Sequence, residues 1–461
     1  MHIFRDLKSG GDSGYPGHGE PRFHAYTERQ FDQIPHLERL SAEQRFAMHV
    51  VARVLPFRVN DYVLEHLIDW DNVPDDPMFQ LVFPQPGMIA PAHYDRVAGM
   101  VNSGADKRTL KAAVHAIHLE LNPHPAEQRT LNVPYFGDHS LEGAQHKYRE
   151  TLLFFPGAGQ TCHAYCSFCF RWAQFVQDKE LRISSREASQ LQTYLKAHRH
   201  VTDLLITGGD PMVMKTHHLV ENIEPLLQPE FDHVQTIRIG TKALSYWPYR
   251  FTTDADADDL LRLFERVVKA GKHLAFMAHY NHWRELEPAP AREAIRRVQD
   301  TGAVIRMQGP LLAHINDDPA VWGRMWREQV KLGIVPYYMF VERDTGARRY
   351  FEVPLVRAWE IYRDAMQQVS GLGRTARGPS MSAGPGKVEV QGVTEIQGEK
   401  VFVLRFIQGR DPDWVERPFF AKFDPAATWL DELQPAFGES HFFFEREYEG
   451  MRGGTVNTLV E

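Results

Sequence analysis

Six short runs of aliphatic, aromatic and β-branched residues recur through the middle of the chain: Thr151 to Phe155, Asp203 to Thr207, Val234 to Gly240, Lys272 to His279, Val304 to Gln308 and Val335 to Val341. Helix-period segments separate most of them. Asp258 to Ala270, for example, places Leu260, Leu263, Phe264, Val267 and Val268 on one face. The segment from Ser184 to His198 opens with Ser184-Ser-Arg-Glu187, a capping box that marks a helix start. Strands alternating with helices predict a parallel sheet, since a helical crossover returns the chain to begin each new strand in the same direction. Six such units suffice for an α/β fold of the open, partial (β/α)6 barrel kind, which presents functional loops at the carboxyl ends of its strands.

The flanks read differently. Residues 1–147 form a mostly helical amino-terminal region, with a helix expected from Ala42 to Val54 and a loop over Leu67 to Met78. The barrel is expected over 148–345. A smaller carboxyl-terminal α+β region, 346–461, holds a helix over Pro354 to Val369, a Gly- and Pro-rich stretch, a β-like run from Lys400 to Gln408 and a loose tail from Met451 to Glu461. A length of 461 residues suits two to three such regions. The formal charge of -8 offers no basic field for a nucleic-acid backbone, which leaves small molecules as the expected substrates. No run of eighteen apolar residues and no signal-like start appear, so no membrane association and a cytoplasmic location are expected.

All three cysteines, Cys162, Cys166 and Cys169, fall just beyond the first predicted strand. A disulfide framework for so long a chain is excluded by that count, and thiols so closely spaced point to metal. Cubane iron-sulfur clusters ordinarily take four thiolates, so three cysteines with no fourth leave one iron without a protein thiol. The alternative is a zinc knuckle completed by His163 or another histidine, although C-x3-C-x2-C departs from common zinc spacings. After the second strand comes Thr207-Gly208-Gly209-Asp210-Pro211, where glycines let backbone N–H groups approach a small polar ligand. Taken alone, this segment is also an ordinary turn.

C-x3-C-x2-C with an aromatic residue before the last cysteine resembles the signature of the radical S-adenosylmethionine (SAM) superfamily. The resemblance implies a [4Fe-4S] cluster on the three cysteines, with SAM bound at the open iron and cleaved on reduction to a 5'-deoxyadenosyl radical. It also places Phe168 near the adenine and Gly208, Gly209 and Asp210 at the SAM amino group. Four further motifs narrow the likeness: Arg238-Ile-Gly-Thr241, His279-Tyr-Asn-His282, Gln308 with Ile315-Asn-Asp317, and Pro336-Tyr-Tyr338. Together with the loop Asp75-Asp-Pro-Met78 they resemble the lysine 2,3-aminomutase family from about Leu67 to Lys387.

That closer resemblance implies SAM contacts from His279 and Gln308, and a grip by Arg171 on the α-carboxylate of an amino-acid substrate, for which a planar guanidinium fork is suited. It further implies that Lys387, at the end of Gly384-Pro-Gly386, joins pyridoxal phosphate (PLP) covalently. Where lysine-specific members carry two aspartates for the distal ammonium, this sequence reads Arg343 and Ser380, with Asp344 one position off. A substrate amino acid other than lysine is therefore expected, together with an electron donor such as flavodoxin or ferredoxin. The cysteines that hold an intersubunit zinc in some relatives are missing, so a homo-oligomer would rest on other contacts. Two alternatives stand beside this reading: a radical SAM enzyme without PLP that abstracts hydrogen for another reaction, and a non-catalytic iron-sulfur or zinc protein.

Overall fold

The structure, a computed structural model, describes residues 21–122, 131–136, 139–176, 184 and 188–453. The amino-terminal region is largely helical, with helices at Ala42–Ala52, Asp61–His66, Pro77–Val82, Pro91–Asn102 and Lys107–Leu121. Ser41 starts the first by accepting from the Gln44 amide at 3.1 Å, while the Gln44 side chain returns to the Ser41 amide. The loop expected over Leu67 to Met78 ends two residues early, at Asp76, which caps the helix at Pro77 by accepting from Phe79 N at 2.8 Å. Two short ribbons complete this region: β1 (Ala25–Thr27) with β2 (Arg58–Asn60), and β3 (Tyr135–Phe136) with β4 (His139–Ser140).

One sheet organises the rest. Its strands are β5 (Ala144–Tyr148), β6 (Thr151–Phe154), β7 (Asp203–Ile206), β8 (Thr236–Thr241), β9 (His273–His279), β10 (Val304–Leu311), β11 (Val335–Val341), β12 (Arg377–Ser382), β13 (Gly386–Ile396), β14 (Glu399–Gly409) and β15 (Pro418–Lys422). Each lies beside its neighbours in sequence. From β6 to β12 the pairing is parallel, and β5 and β13 to β15 continue the sheet antiparallel on either side. Helices Ala188–Ala197, Thr216–Ile223, Ala257–Lys269, Ala289–Asp300, Pro319–Lys331 and Leu355–Gln367 occupy the six successive crossovers, as parallel pairing requires. The capping box expected at Ser184–Glu187 falls, apart from Ser184, outside the described residues.

The six predicted strands all form, and the parallel run goes one strand further. The Gly- and Pro-rich segment after Val369 is not a loop but supplies β12 and the start of β13. Glycine there answers to close packing: a Cβ on Gly378, at φ +144°, would sit 2.3 Å from the Met339 carbonyl oxygen of β11. The carboxyl-terminal tail also departs from expectation, because a helix spans Glu445–Gly453; residues 454–461 lie outside the described residues. The sheet runs unbroken across positions 148 and 346, whereas the apolar side chains form three clusters. One lies between β6 to β11 and the crossover helices, one lies among the amino-terminal helices, and one packs on β13 to β15.

The sheet ends at β5 and β15, so no closed barrel forms. It nevertheless bends round. Lys147 of β5 hydrogen-bonds the carbonyl of Ala383, just past β12, and Arg410, just past β14, reaches Asn132 Oδ1 at 2.5 Å. Residues from β5 to β14 consequently line one shared cavity. No helix among the described residues is long and apolar enough to cross a membrane. The face of Ala257–Lys269 read from the sequence is the buried one, with Leu260, Leu263, Phe264 and Val267 fully enclosed. Leu263→Ala should lower the unfolding free energy by about 2–5 kcal/mol, measured as a lower denaturant midpoint.

Candidate active site

The loop from Gly159 to Arg171 leaves β6 at its carboxyl end and is fastened from two sides. Amino-terminal backbone holds it from outside: Tyr165 N donates to Arg58 O at 2.8 Å, Ser167 N to Leu81 O at 2.8 Å, and Ser167 Oγ to Gln80 O at 2.6 Å. The buried Asn60 amide bridges His163 O (3.2 Å) and Tyr246 O (2.9 Å). From the other side, the turn after β7 presses against the loop. Gly209 N donates to Gly159 O at 3.1 Å and Asp210 N to Thr161 O at 2.7 Å. A Cβ on Gly209 would stand 2.4 Å from the Thr161 carbonyl oxygen, a contact that backbone on both sides makes unavoidable.

The Gly-Gly-Asp segment therefore docks the cysteine loop, and the amides of Gly209 and Asp210 point into that junction. Asp210 is buried, and its carboxylate accepts from Thr241 Oγ1 (2.7 Å), Lys242 N (2.9 Å) and Met212 N (2.9 Å). Burial outweighs those hydrogen bonds and raises its pKa to about 6.

A cavity of about 340 Å³ opens at these strand ends. Cys162, Cys166, Cys169, Phe168, Arg171, Gly208, Gly209, Asp210, His279, Gln308 and Lys387 all line it, so the residues singled out in the sequence converge from five strands. Burial pushes the thiols of Cys166 and Cys169 up to about 11 and about 12 and drives that of Cys162 well above its usual range; charge on Asp210 and the other two cysteines raises Cys162 further, and charge on Cys166 raises Cys169. Among the described residues no three His, Cys, Asp or Glu side chains are gathered closely enough to hold a single metal ion. His163, the candidate fourth ligand of a zinc knuckle, packs its ring against Phe23 and Trp247, and burial lowers its pKa to about 3.

Further round the wall, His279 and Gln308 sit side by side in the β9–β10 register. Burial drives the His279 imidazole well below its usual range, and its Nε2 is enclosed without a hydrogen-bond partner. Arg171 lies 4.2 Å over the Phe155 ring and 5.3 Å from that of Phe170, and makes no ion pair with any described residue. Desolvation brings its pKa down to about 10. Lys387 meets Gln408 Oε1 at 3.1 Å and the Tyr338 ring at 4.1 Å. Burial, then the charges of Arg238 and Arg377, lower its pKa to about 7.

Two positions highlighted as departures separate here. Arg343 lines the cavity, 5.1 Å from Phe170, whereas Ser380 is buried behind it with its hydroxyl donated to Met339 O at 3.4 Å. Asp344 is not among the lining residues. His282 is structural, its ring accepting from Arg284 N at 3.2 Å. Sequence reasoning missed Lys147, on an antiparallel strand with no pattern to flag it, and the buried pair Lys242 and Glu285, 2.5 Å apart. Glu285 stands three residues after His282, a capping spacing that could have drawn attention to it.

A cavity that gathers three thiols, a guanidinium with no ion pair among the described residues and a lysine amine near neutral pKa is built for catalysis. No family model matches the chain. Over 404 residues it is 31% identical to a protein of Aquifex aeolicus provisionally named as an L-lysine 2,3-aminomutase, a match covering 87% of this chain and 94% of that one. The L-lysine 2,3-aminomutase of Methanococcus maripaludis is 25% identical over 280 residues, 60% of this chain and 61% of that one. Among solved structures, a radical SAM methyltransferase from Sphaerobacter thermophilus superposes with a TM-score of 0.34 and 14% identity over 51% of this chain and 68% of that one, too partial a likeness to bear weight. The chain belongs to the lysine 2,3-aminomutase family of radical SAM enzymes. It is thus an enzyme of the aminomutase type.

Gly209→Ala should leave the far-ultraviolet circular dichroism unchanged but displace the cysteine loop. Iron uptake on anaerobic reconstitution should fall severalfold, read by metal analysis.

Proposed function

We propose that this enzyme shifts the α-amino group of a free amino acid other than lysine by one carbon, using a [4Fe-4S] cluster, SAM and PLP held in the curled sheet, which we take as a partial (β/α)6 barrel. The observation that carries this reading is the convergence of Cys162, Cys166, Cys169, Arg171 and Lys387 on one cavity. The donor set fits the cluster: three half-buried, desolvated thiols with no fourth cysteine in the chain become thiolates together only beside compensating positive charge, which iron supplies. The enclosed His279 Nε2 and the neighbouring Gln308 fit a polar ligand beside that cluster, as SAM would be. Lys387, beside the flat Tyr338 ring and half deprotonated near neutral pH, fits an aldehyde cofactor such as PLP.

When bound, cluster and SAM supply a hydrogen-abstracting radical and PLP carries the migrating nitrogen. The chain does the rest. Arg171, stacked on Phe155 and without a carboxylate partner among the described residues, grips the substrate α-carboxylate and fixes which hydrogen faces the radical source. Phe168, Phe170 and Tyr338 wall the space and keep water from a reactive intermediate. At the far end a lysine ammonium would meet the Arg343 guanidinium, with the buried Glu342 lining the cavity beside it, and Ser380 is spent on the Met339 carbonyl. That end favours a neutral or acidic side chain. The reading includes a one-electron donor of the flavodoxin or ferredoxin type, a cytoplasmic setting, no nucleic-acid or membrane partner, and a homo-oligomer.

Reconstituted enzyme with dithionite, SAM and PLP should release 5'-deoxyadenosine and convert one of the proteinogenic amino acids other than lysine to its β-amino isomer; deoxyadenosine without any isomer would reject the amino shift. Lys387→Ala should abolish the PLP absorption band and reduce turnover to background. Because its pKa is lowered, Lys387 is protonated and slow below pH 7 and reactive above it. The rate of borohydride-trapped PLP attachment should therefore rise through about pH 7, well below the range of an ordinary lysine.

A further inference from the structure

Tyr246 closes the short helix Ala243–Tyr246 that follows β8, and it is 1% exposed. A buried phenol needs a hydrogen-bond partner. Its hydroxyl oxygen accepts from the Cys166 thiol at 3.7 Å, and no other partner is found among the described residues. Between a thiol and a phenol either group can donate, but a cysteine that ligates iron has no proton, so the phenol must be the donor. We propose that Tyr246 donates a hydrogen bond to the Cys166 sulfur and so sets the reduction potential of the cluster, an inference that rests on the cluster reading above. A donor to a ligating sulfur stabilises the added negative charge of the reduced state, which makes the cluster easier to reduce.

The surroundings hold this donor in place and strengthen it. Asn60, fully buried, donates to the carbonyls of both Tyr246 and His163, locking the phenol's residue to the cysteine loop, while its own Oδ1 accepts from Val63 N at 3.0 Å. The Lys242 ammonium sits 4.5 Å from the Tyr246 ring, where positive charge over the π face draws electron density from the hydroxyl and makes it a better donor. Lys242 is pinned by Glu285 (2.5 Å) and Asn281 Oδ1 (3.0 Å), and Ser245 Oγ also donates to Glu285 at 2.5 Å. Glu285 further accepts from the amides of Asn281 and His282, so the group behind the ring has no freedom to turn. Tyr246 is a positioning residue in this scheme: it acts on the reaction through Cys166.

The test is an electron paramagnetic resonance redox titration of the reconstituted full-length enzyme, with iron and sulfide assayed on each sample. Tyr246→Phe should keep a full cluster and titrate at a more negative potential, with severalfold slower deoxyadenosine formation from a flavodoxin-type donor and recovery under a stronger reductant. Incorporation of 3-fluorotyrosine at position 246 keeps the shape and sharpens the donor, and should move the potential the opposite way. This second variant decides the matter even if Tyr246→Phe takes up no cluster. Unchanged potentials, or shifts of both variants in the same direction, would overturn the role of Tyr246. Failure of the wild-type chain to assemble a cluster at all would instead overturn the reading on which it rests.

Discussion

The contact on which the site depends is a junction of backbone against backbone, where the turn after β7 meets the loop after β6. Side chains cannot substitute for it, because Gly209 lies within 2.4 Å, measured from an added Cβ, of the Thr161 carbonyl. Two amides of the turn satisfy carbonyls of the loop, and the carboxylate of Asp210 reaches onward to Thr241 and Lys242 at the end of β8. Three successive strand ends are thereby tied into one rigid rim. The cysteines hang from this rim on a single loop, Gly159 to Arg171.

The amino-terminal helices complete the support. Their cluster of apolar side chains takes in Phe168 and Trp172 from the cysteine loop, and Arg58, Gln80 and Leu81 receive its hydrogen bonds on main-chain carbonyls. A region that contributes few residues to the cavity thus determines the shape of one wall. The same economy appears behind β8, where Glu285 satisfies Lys242, Ser245 and two amides at once. Buried charge of this kind is stable only when each lone pair is matched, and here it is.

How much could be read from the chain follows from the range over which each signal acts. Hydrophobic runs separated by helix-period segments are local, and β6 to β11 were legible to within a few residues. Cysteine spacing is local too. The strands β12 and β13 were obscured because glycine and proline signal turns in isolation, and only the approach of β11 to Gly378 reveals packing as their cause. Lys242 and Glu285 lie 43 residues apart, and no pattern in either neighbourhood announces that they meet. Arg343 and Ser380 look equivalent as substitutions, yet strand direction sends one into the cavity and the other behind it.

Closure of the curled sheet has a mechanical consequence. Between β6 and β12 every strand is stitched to the next by a ladder of main-chain hydrogen bonds, and parting any two would break several together. Where β5 faces the far end of the sheet there is no ladder among the described residues, and side-chain links such as Lys147 to Ala383 and Arg410 to Asn132 join the two. Each such link contributes on the order of 1–3 kcal/mol, so this seam yields under forces that leave the remainder of the wall intact.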